Sequence, residues 1–176
     1  MTDLVELVPH GILLSSFGAD AVTLKPDAFA AANGPAFFVL VTGAPEEPPT
    51  LQRTTDIGTL HERGGEQGIY VQPLLRKEGN RKAVLRVGRG SGCDVVINDT
   101  SISKLHAYVE PAGSGFSLVD AGSQNGTFVD DLRVPVRGIG APVTLLPLAR
   151  VRFGSVPFVF LPAAELAELA RGERHL

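Results

Sequence analysis

A short polar stretch, DTSISKLHAYV at residues 99–109, brings together side chains that could do chemistry. Ser103, Lys104 and His106 fall within four positions, just before what reads as a strand. A hydroxyl, an ammonium and an imidazole at this spacing could form a catalytic site, bind an anion, or tie their own loop together through hydrogen bonds. The rest of the chain has to distinguish these three roles.

A glycine-rich stretch, VLRVGRGSGCDVV at residues 84–96, raises the question of a nucleotide cofactor. A dinucleotide-binding loop needs a third glycine three positions after the second, followed by a helix whose N-terminus faces the pyrophosphate. Here Cys93 occupies the position of that third glycine, and the apolar residues after it continue as a strand. We therefore expect no cofactor at this loop.

Two further kinds of site can be tested against the sequence. Cys93, His106 and Asn125 occur in the chain order of a cysteine protease, but a catalytic thiol usually lies at a helix N-terminus, where the dipole lowers its pKa. Cys93 instead leads into an apolar strand, which suits a small buried side chain. The four histidines lack the spacing that gathers metal ligands. They are His10, His61, His106 and His175. The sequence thus predicts neither an enzyme nor a metal site.

The composition is that of a soluble, mainly β protein. The chain has 176 residues, enough for one well-packed domain with an appendage or for two small domains. Its 20 glycines and 13 prolines favour short strands and many turns over long helices. No apolar run approaches the ~20 residues that span a bilayer, and the N-terminus lacks the pattern of a secretory signal. The single cysteine excludes an internal disulfide. We expect a cytoplasmic protein that does not bind a membrane.

Charge is divided unevenly along the chain, although the formal net charge is only −3. Residues 1–75 carry three Lys or Arg against nine Asp or Glu, residues 76–160 carry eleven against seven, and residues 161–176 carry two against three. The segment charges are therefore −6, +4 and −1. This balance predicts no general affinity for nucleic acid, but the middle segment could present either an anion-binding face or an ordinary solvated surface.

The first 68 residues are predicted to form an N-terminal extension or small subdomain. LVELVPHGILLSS and AVTL read as short strands, and PDAFAAANG reads as a helix that Pro26 starts and Gly34 ends. AFFVLVTG at 36–43 is a continuous apolar run, typical of a buried strand. Two loops follow, APEEPPT at 44–50 and HERGGEQG at 61–68. The strands of this part could complete the next domain or lie across it.

From residue 69 onward, short strands alternate with turns at the spacing of a β-sandwich. In LHAYVE at 105–110, alternation predicts that the first, third and fifth residues face a core and that His106 faces outward with the other polar residues. VPFVF at 156–160 is apolar on both faces, like an end strand covered by another element, and a C-terminal helix at 162–176 could cover it. The predicted strands are 69–75, 83–88, 94–97, 105–110, 116–120, 127–130, 143–146, 150–153 and 156–161.

Three short motifs occur in order among these strands. They are Gly88-Arg89 at a strand end, Ser103-x-x-His106 after a loop, and Ser123-x-Asn125-Gly126-Thr127 in a later loop. Their order and spacing resemble the forkhead-associated (FHA) domain, a β-sandwich that binds phosphothreonine peptides through the loops at one end. The resemblance covers residues 69–161. It implies a mainly β, FHA-type sandwich between the N-terminal extension of residues 1–68 and the C-terminal helix at 162–176.

The resemblance also implies a role for each matching residue. It places Arg89, Ser103 and Lys104 on the phosphate, and Asn125 on the peptide backbone with Gln124 beside it. These chemical types suit the ligand, because a phosphothreonine carries a charge of about −1.5 to −2 and three strong acceptor oxygens, while an arginine stays charged. The other matching residues are implied to brace the loops. They are Gly88, His106, Gly126 and Thr127.

We therefore expect a non-catalytic module that recruits a partner phosphorylated on threonine by a Ser/Thr protein kinase. The preference for threonine over serine is implied by the family, and loops 111–115 and 121–126 are expected to read the residues beside the phosphothreonine. A phosphate could also be supplied in cis, since TLQRTTDIGT at 50–59 places threonines beside Arg53. The alternative is a phosphate-independent assembly module, which would contact a neighbouring protein through the acidic first third of the chain and the AFFVLV segment.

Overall fold

In the computed structural model of the chain, the described residues are 4–40, 69–80 and 83–173. The helices are α1 (Leu4–Leu7), α2 (Gly18–Thr23), α3 (Pro26–Asn33) and α4 (Ala163–Ala170), with a 3-10 helix at Leu14–Phe17. The strands are β1 (Ile12–Leu13), β2 (Ala36–Leu40), β3 (Tyr70–Pro73), β4 (Leu85–Gly88), β5 (Val95–Val96), β6 (Ala107–Ala112), β7 (Gly115–Asp120), β8 (Thr127–Val129), β9 (Leu132–Arg133), β10 (Val143–Leu145), β11 (Arg150–Phe153) and β12 (Val156–Pro162).

The described strands form two sheets that pack face to face. One has seven strands in the order β1-β3-β2-β12-β11-β8-β9, and the other has five in the order β10-β7-β6-β4-β5. Buried apolar residues from both sheets form one core between them. The predicted mainly β sandwich is therefore confirmed, and each of the nine strands predicted from residue 69 onward overlaps an observed strand.

The packing of the seven-stranded sheet follows from side-chain alternation along its strands. In β2, Phe38 faces the core between the sheets, where its ring meets Phe153 edge-on with the centroids 5.4 Å apart. Its neighbours Phe37 and Val39 face the opposite side of the sheet and are equally buried. A strand that is apolar on both faces needs a cover on its outer face as well.

That cover is a helical layer made of the 3-10 helix, α2, α3 and α4. The rings of Phe17 and Phe29 lie 5.6 and 6.5 Å from the ring of Phe37, and Leu166 of α4 is buried in the same apolar cluster. The predicted helix at PDAFAAANG is confirmed as α3, and Gly34 follows it with a φ of 112°. The outer layer thus combines helices that precede β2 with α4, which follows β12.

Two predictions for the N-terminal part are wrong. LVEL forms the helical turn α1, and AVTL belongs to α2 rather than to a strand. Short apolar segments look alike in helices and strands. Here the helical form places Leu14, Phe17 and Ala21 together in the outer apolar cluster, so tertiary packing decides the outcome.

The interpretation of VPFVF as an end strand is also wrong. β12 lies between β2 and β11, because β2 pairs with it antiparallel and brings Phe38 opposite Phe160. The first part of the chain therefore completes the sandwich and does not merely lie across it. Residues 36–40 are buried on both faces, so they offer no surface to a neighbouring protein. The described part of AFFVLV therefore does not support the alternative of an assembly module.

The predicted alternation in LHAYVE fails at its first two residues. β6 begins at Ala107, so Leu105 and His106 still belong to the preceding loop. Leu105 is 38% exposed, whereas His106 is fully buried instead of facing outward. The two-residue strand β9 is absent from the sequence predictions, because two residues are too few to show alternation.

Several predictions concern residues outside the described ranges. They cover the end of the apolar run at 41–43, the loops at 44–50 and 61–68, the threonines at 50–59, and the last residues of the chain at 174–176. The proposed boundary between an extension and a domain at residue 68 stays a prediction. In the part of the chain that is described, no helix is long and apolar enough to cross a membrane.

Candidate functional site

Three loops meet at one end of the sandwich. β4 ends at Gly88, and the antiparallel strand β6 begins beside it at Ala107. β7 ends at Asp120, which lies opposite Ala107. Strand ends that are neighbours in a sheet bring their loops together. The loops that meet here are 89–94, 97–106 and 121–126.

The hairpin at 111–115 lies at the other end of the sandwich. β6 runs from Ala107, next to His106, to Ala112, which pairs with Gly115. Five steps along a strand, at about 3.3 Å each, separate the hairpin from the three loops by about 16 Å. Of the two segments predicted to read residues beside a phosphothreonine, only 121–126 is therefore close to the other candidate site residues.

Gly88 and Arg89 hold the first loop against the second. The backbone N–H of Arg89 donates to the Ser103 carbonyl and that of Gly90 to the Lys104 carbonyl, both at 2.9 Å. A Cβ atom on Gly88 would lie 2.5 Å from the Lys104 carbonyl oxygen, so only glycine permits this approach. The side chain of Arg89 takes no part in this contact and is exposed. Its Nε donates to the Ile102 carbonyl at 3.3 Å.

His106 connects the second loop to the third. Its Nδ1 accepts the backbone N–H of Ser103 at 3.1 Å, which leaves Nε2 to carry the ring proton and donate to the Gly126 carbonyl at 3.1 Å. The ring is fully buried and meets Phe153 edge-on with the centroids 5.8 Å apart. Both nitrogens are thus occupied by the loops, so the ring acts here as a structural link and not as a base.

The burial of His106 predicts a pH dependence of stability. Burial lowers the pKa of His106 below its ordinary value of 6.5, although the Gly126 carbonyl and Asp120 oppose the shift. In the unfolded chain the ring gains a proton below about pH 6.5, while the folded chain stays neutral until its lower pKa is reached. Stability should therefore fall as the pH drops through that interval.

Urea unfolding at a series of pH values between about 7.5 and 5 measures this effect. The free energy of unfolding should decrease towards the acid end in the unmodified protein and change much less in His106→Gln, whatever the absolute stability of that variant. Equal pH slopes in the two proteins would show that His106 does not carry the effect.

The remaining predicted contact residues line the same end. The Ser103 hydroxyl oxygen accepts the backbone N–H of Gln124 at 3.1 Å. Nδ2 of Asn125 donates to the Ser101 carbonyl at 2.7 Å. The side chains of Lys104, Gln124 and Asn125 are exposed. Among the described residues, neither the guanidinium of Arg89 nor the ammonium of Lys104 forms an ion pair. The site therefore presents two cations that no carboxylate in the described ranges balances.

Sequence reasoning missed Asp120, which organises the third loop. Its carboxylate accepts the backbone N–H groups of Gly122 and Ser123 at 2.7 and 2.8 Å, and the hydroxyls of Ser123 and Thr127 at 2.6 and 2.7 Å. Burial alone would raise the pKa of Asp120, but these hydrogen bonds outweigh it and lower the pKa. The signal was present in the sequence, since an aspartate with glycine and serine two and three positions later is typical of a turn capped by the carboxylate.

A second group that sequence reasoning missed holds Asn125. The Ser101 hydroxyl donates to Oδ1 of Asp99 at 2.6 Å and accepts from the hydroxyl and backbone N–H of Ser155 at 2.8 and 3.0 Å. The Ser101 carbonyl receives the Asn125 amide. The turn between β11 and β12 thereby fixes the orientation of Asn125, with Gly154 packed directly against Ser101.

Gly154→Ala tests this contact. Gly154 has a φ of 54°, and a Cβ atom there would lie 2.7 Å from both the carbonyl and the hydroxyl oxygen of Ser101. Gly113→Ala is a matched control, because Gly113 has a φ of 60° and open space around its Cβ position. Backbone strain should lower the free energy of unfolding of both variants by about 1–2 kcal/mol. The clash should lower it by about 1–3 kcal/mol more in Gly154→Ala. Equal losses in urea unfolding would contradict the predicted clash.

Cys93 does not form a nucleophilic pair with His106. Its thiol donates to the Lys104 carbonyl at 3.2 Å, and burial raises the pKa of the thiol despite the nearby Arg86. Both nitrogens of His106 are engaged elsewhere. No cluster of potential metal ligands exists within residues 4–40, 69–80 and 83–173. The exposed side chains of Arg89 and Lys104 suit this end of the sandwich to binding an anion at its surface.

Comparison with known proteins identifies a family for part of the chain. Residues 85–154 match the model of the FHA domain. The chain is 37% identical over 62 residues to the FHA domain-containing protein FhaB of Mycolicibacterium smegmatis, covering 34% of this chain and 40% of that one. It is 31% identical over 87 residues to the glycogen accumulation regulator GarA of Mycobacterium tuberculosis, covering 49% and 50%. The chain thus spans half or less of the length of these relatives.

A solved structure from work on phosphothreonine-dependent FHA domain interactions is also similar. It is 23% identical, has a TM-score of 0.41, and covers 55% of this chain and 86% of that one. The family match begins within β4, just before Gly88 and Arg89, and ends at Gly154. It therefore includes each of the three loops that meet at the site. Residues 85–154 of this chain are therefore similar in sequence to the forkhead-associated (FHA) domain.

Proposed function

We propose that this FHA-like domain is a non-catalytic module that binds peptides phosphorylated on threonine. The observation that carries the proposal is the convergence of Arg89, Lys104 and several hydrogen-bond donors at three loop ends, without a carboxylate partner for either cation among the described residues. A phosphate group with a charge of about −1.5 to −2 supplies the missing negative charge. Charge-assisted hydrogen bonds of this kind are about twice as strong as neutral ones.

Arg89 and Lys104 play different parts in this proposal. The guanidinium of Arg89 offers planar pairs of N–H donors, and its Nε is already held by the Ile102 carbonyl, which limits its freedom. Lys104 is exposed and contributes a mobile point charge. The first fixes the position of the phosphate and the second adds attraction.

Ser103 is prepared to donate a hydrogen bond. Its hydroxyl oxygen accepts the Gln124 N–H, so the hydroxyl proton stays available for a phosphate oxygen. The Ser103 backbone N–H is not available, because it donates to His106. This division supports the roles expected from the family, in which the serine contacts the phosphate and the histidine braces the loop.

Asn125 suits the backbone of the bound peptide. One N–H of its side-chain amide is used by the Ser101 carbonyl, which fixes the direction of the amide plane. The second N–H and the carbonyl oxygen can then pair with a peptide group. Gln124 lies next to it on the exposed face of the same loop. The loop-bracing assignment of Gly88, His106, Gly126 and Thr127 is part of the same proposal.

The partner would be a protein phosphorylated by a Ser/Thr protein kinase, in the cytoplasm. The match of residues 85–154 to the FHA model and the similarity to the FHA domain-containing protein FhaB support this class of function. Recognition would be specific for threonine if the loops enclose its γ-methyl group. One methyl group in an apolar pocket is worth about 1–3 kcal/mol, or about a 5- to 150-fold difference in affinity between phosphothreonine and phosphoserine.

Titration against degenerate peptide libraries tests the proposal. The folded protein is titrated with phosphothreonine, phosphoserine and unphosphorylated libraries of otherwise equal composition. Binding confined to the phosphothreonine library is expected, and the enriched residues would define the flanking motif. Equal binding to the unphosphorylated library would favour a phosphate-independent assembly module, and no binding to any library would contradict the proposal.

A further inference from the structure

A second basic surface lies beside the proposed phosphopeptide site. In the seven-stranded sheet, Phe128 of β8 is paired with Arg133 of β9 on one side and with Arg152 of β11 on the other. The neighbours of Phe128 along β8 are buried, so this row faces away from the core. We call Arg133, Phe128 and Arg152 the arginine row.

The arginine row carries positive charge that the described residues do not neutralise with a carboxylate. The guanidinium carbon of Arg152 lies 3.9 Å from the centre of the Phe128 ring, and Nη1 of Arg152 donates to the Gly154 carbonyl at 2.6 Å. Within the described ranges, neither Arg133 nor Arg152 forms an ion pair. A guanidinium has five N–H donors, so most of those of Arg152 remain available.

A second arginine, Arg137, also lies over an aromatic ring, but a carboxylate neutralises its charge. Arg137 lies 4.6 Å from the centre of the Tyr108 ring, on the five-stranded sheet. Its Nη2 is 3.0 Å from a carboxylate oxygen of Glu110. Since the two aromatic platforms are similar, the difference between Arg137 and Arg152 is the carboxylate. No carboxylate among the described residues takes the corresponding place at the arginine row.

The arginine row is continuous with the proposed site. A Cβ atom on Gly126 would lie 3.2 Å from Cε2 of Phe128 and 3.3 Å from Nε of Arg133. Gly126 directly follows Asn125, and its carbonyl accepts the hydrogen bond from Nε2 of His106. At the other end of the row, Arg152 holds Gly154, which packs against the Ser101 group that orients Asn125. A peptide that passes Asn125 therefore reaches the arginine row within a few residues.

The nearby acidic side chains do not cover this end of the row. Asp130 and Asp131 form the turn between β8 and β9, at the end of β8 away from Gly126. Oδ1 of Asp130 accepts the backbone N–H of Arg150 at 2.9 Å. The helical layer covers the outer faces of β12, β2 and β3, and its apolar cluster includes no residue of β8, β9 or β11. Within residues 4–40, 69–80 and 83–173, the helical layer thus leaves the outer face at the arginine row uncovered.

We propose that the arginine row binds an acidic segment of the same phosphopeptide, a few residues from the phosphothreonine. This inference rests on the proposed function and adds a second requirement for the ligand. Carboxylates pair with the guanidinium groups, and Phe128 provides a rigid apolar base beneath them. Exposed ion pairs of this type contribute modestly and weaken with salt.

The experiment compares phosphothreonine peptides whose flanks are acidic, neutral or basic, with the flank placed before or after the phosphothreonine. For one of the two placements, the acidic flank should tighten binding about three- to tenfold over the neutral flank at low salt and less at high salt. Arg133→Glu should lose this gain and prefer the basic flank, when each flank is compared with the neutral flank in the same variant. Arg137→Glu, a charge reversal on the other sheet, should keep the acidic preference.

The outcomes separate this inference from the proposed function. If the neutral phosphopeptide binds but the acidic flank gives no gain in either placement, the inference is overturned and the proposed function stands. The same holds if Arg133→Glu keeps the acidic preference. If no phosphothreonine peptide binds, both are overturned. A preference that reverses sign in Arg133→Glu and not in Arg137→Glu would establish the arginine row as a specificity surface.

Discussion

Replacing Arg89 by alanine is expected to weaken the binding of a phosphothreonine peptide by about 30- to 4,000-fold. Truncating one partner of a desolvated, hydrogen-bonded charge pair typically costs about 2–5 kcal/mol, and each 1.4 kcal/mol corresponds to a factor of ten. The fold should survive, because the contact between the first two loops is made by the backbone N–H of Arg89, which alanine retains. Calorimetric titration with one phosphopeptide, alongside urea unfolding, measures both effects.

Two further variants separate charge from geometry at this position. Arg89→Lys keeps the positive charge and loses the planar fork, so it should bind with an affinity between those of the unmodified protein and Arg89→Ala. Arg137→Ala removes an arginine that already has a carboxylate partner, and should bind the neutral-flank peptide normally. Unchanged binding by a folded Arg89→Ala variant would refute the proposed phosphate site.

Replacing Asp120 by alanine is expected to destabilise the protein by about 2–5 kcal/mol. The change removes the acceptor for four hydrogen bonds, and the hydroxyl of Thr127 is completely buried. A buried donor left without a partner costs about 1–3 kcal/mol. The third loop would lose its organisation as well, so affinity for a phosphopeptide should fall together with stability. Urea unfolding measures the first effect and titration at low temperature the second.

An exposed acidic residue provides the control for Asp120. Glu78 lies on an exposed turn, and Glu78→Ala should change stability by less than about 0.5 kcal/mol. The hydrogen bonds of Asp120 also lower its pKa, so their contribution should be present above the ordinary value of 3.8 and lost as the pH falls below it. Equal stabilities of Asp120→Ala and Glu78→Ala at neutral pH would show that the buried network contributes little.

Local patterns predicted much of the sandwich, because its strands are short and separated by clear turns. The nine strands from residue 69 onward follow from alternation and from glycine and proline positions. The place of β12 in the sheet could not be predicted in this way. It depends on pairing between Phe38 and Phe160, which are far apart in the chain, and alternation says nothing about which distant strand becomes a neighbour.

The candidate site was predicted at the level of residue types but not of connections. The motifs identified Arg89, Ser103 and Asn125, which the structure brings to one end of the sandwich. They did not reveal that Ser101 and Gly154 orient Asn125, since that contact joins loops about fifty residues apart. The resemblance implied a bracing role for His106. Alternation predicted an outward direction for its side chain, which is wrong because the strand begins two residues later than predicted.

The position of β2 between β3 and β12 affects the order in which the protein can assemble. During synthesis, β2 can pair with β3 once residue 73 is available, but its other edge stays open until residues 156–162 have been made. Contacts between such distant segments make folding slow, and an open edge strand is prone to pair with another chain. The turn at Gly154, which orients Asn125, adjoins β12. The sandwich, and with it the site at its end, should therefore be complete only after residues 156–162 have left the ribosome.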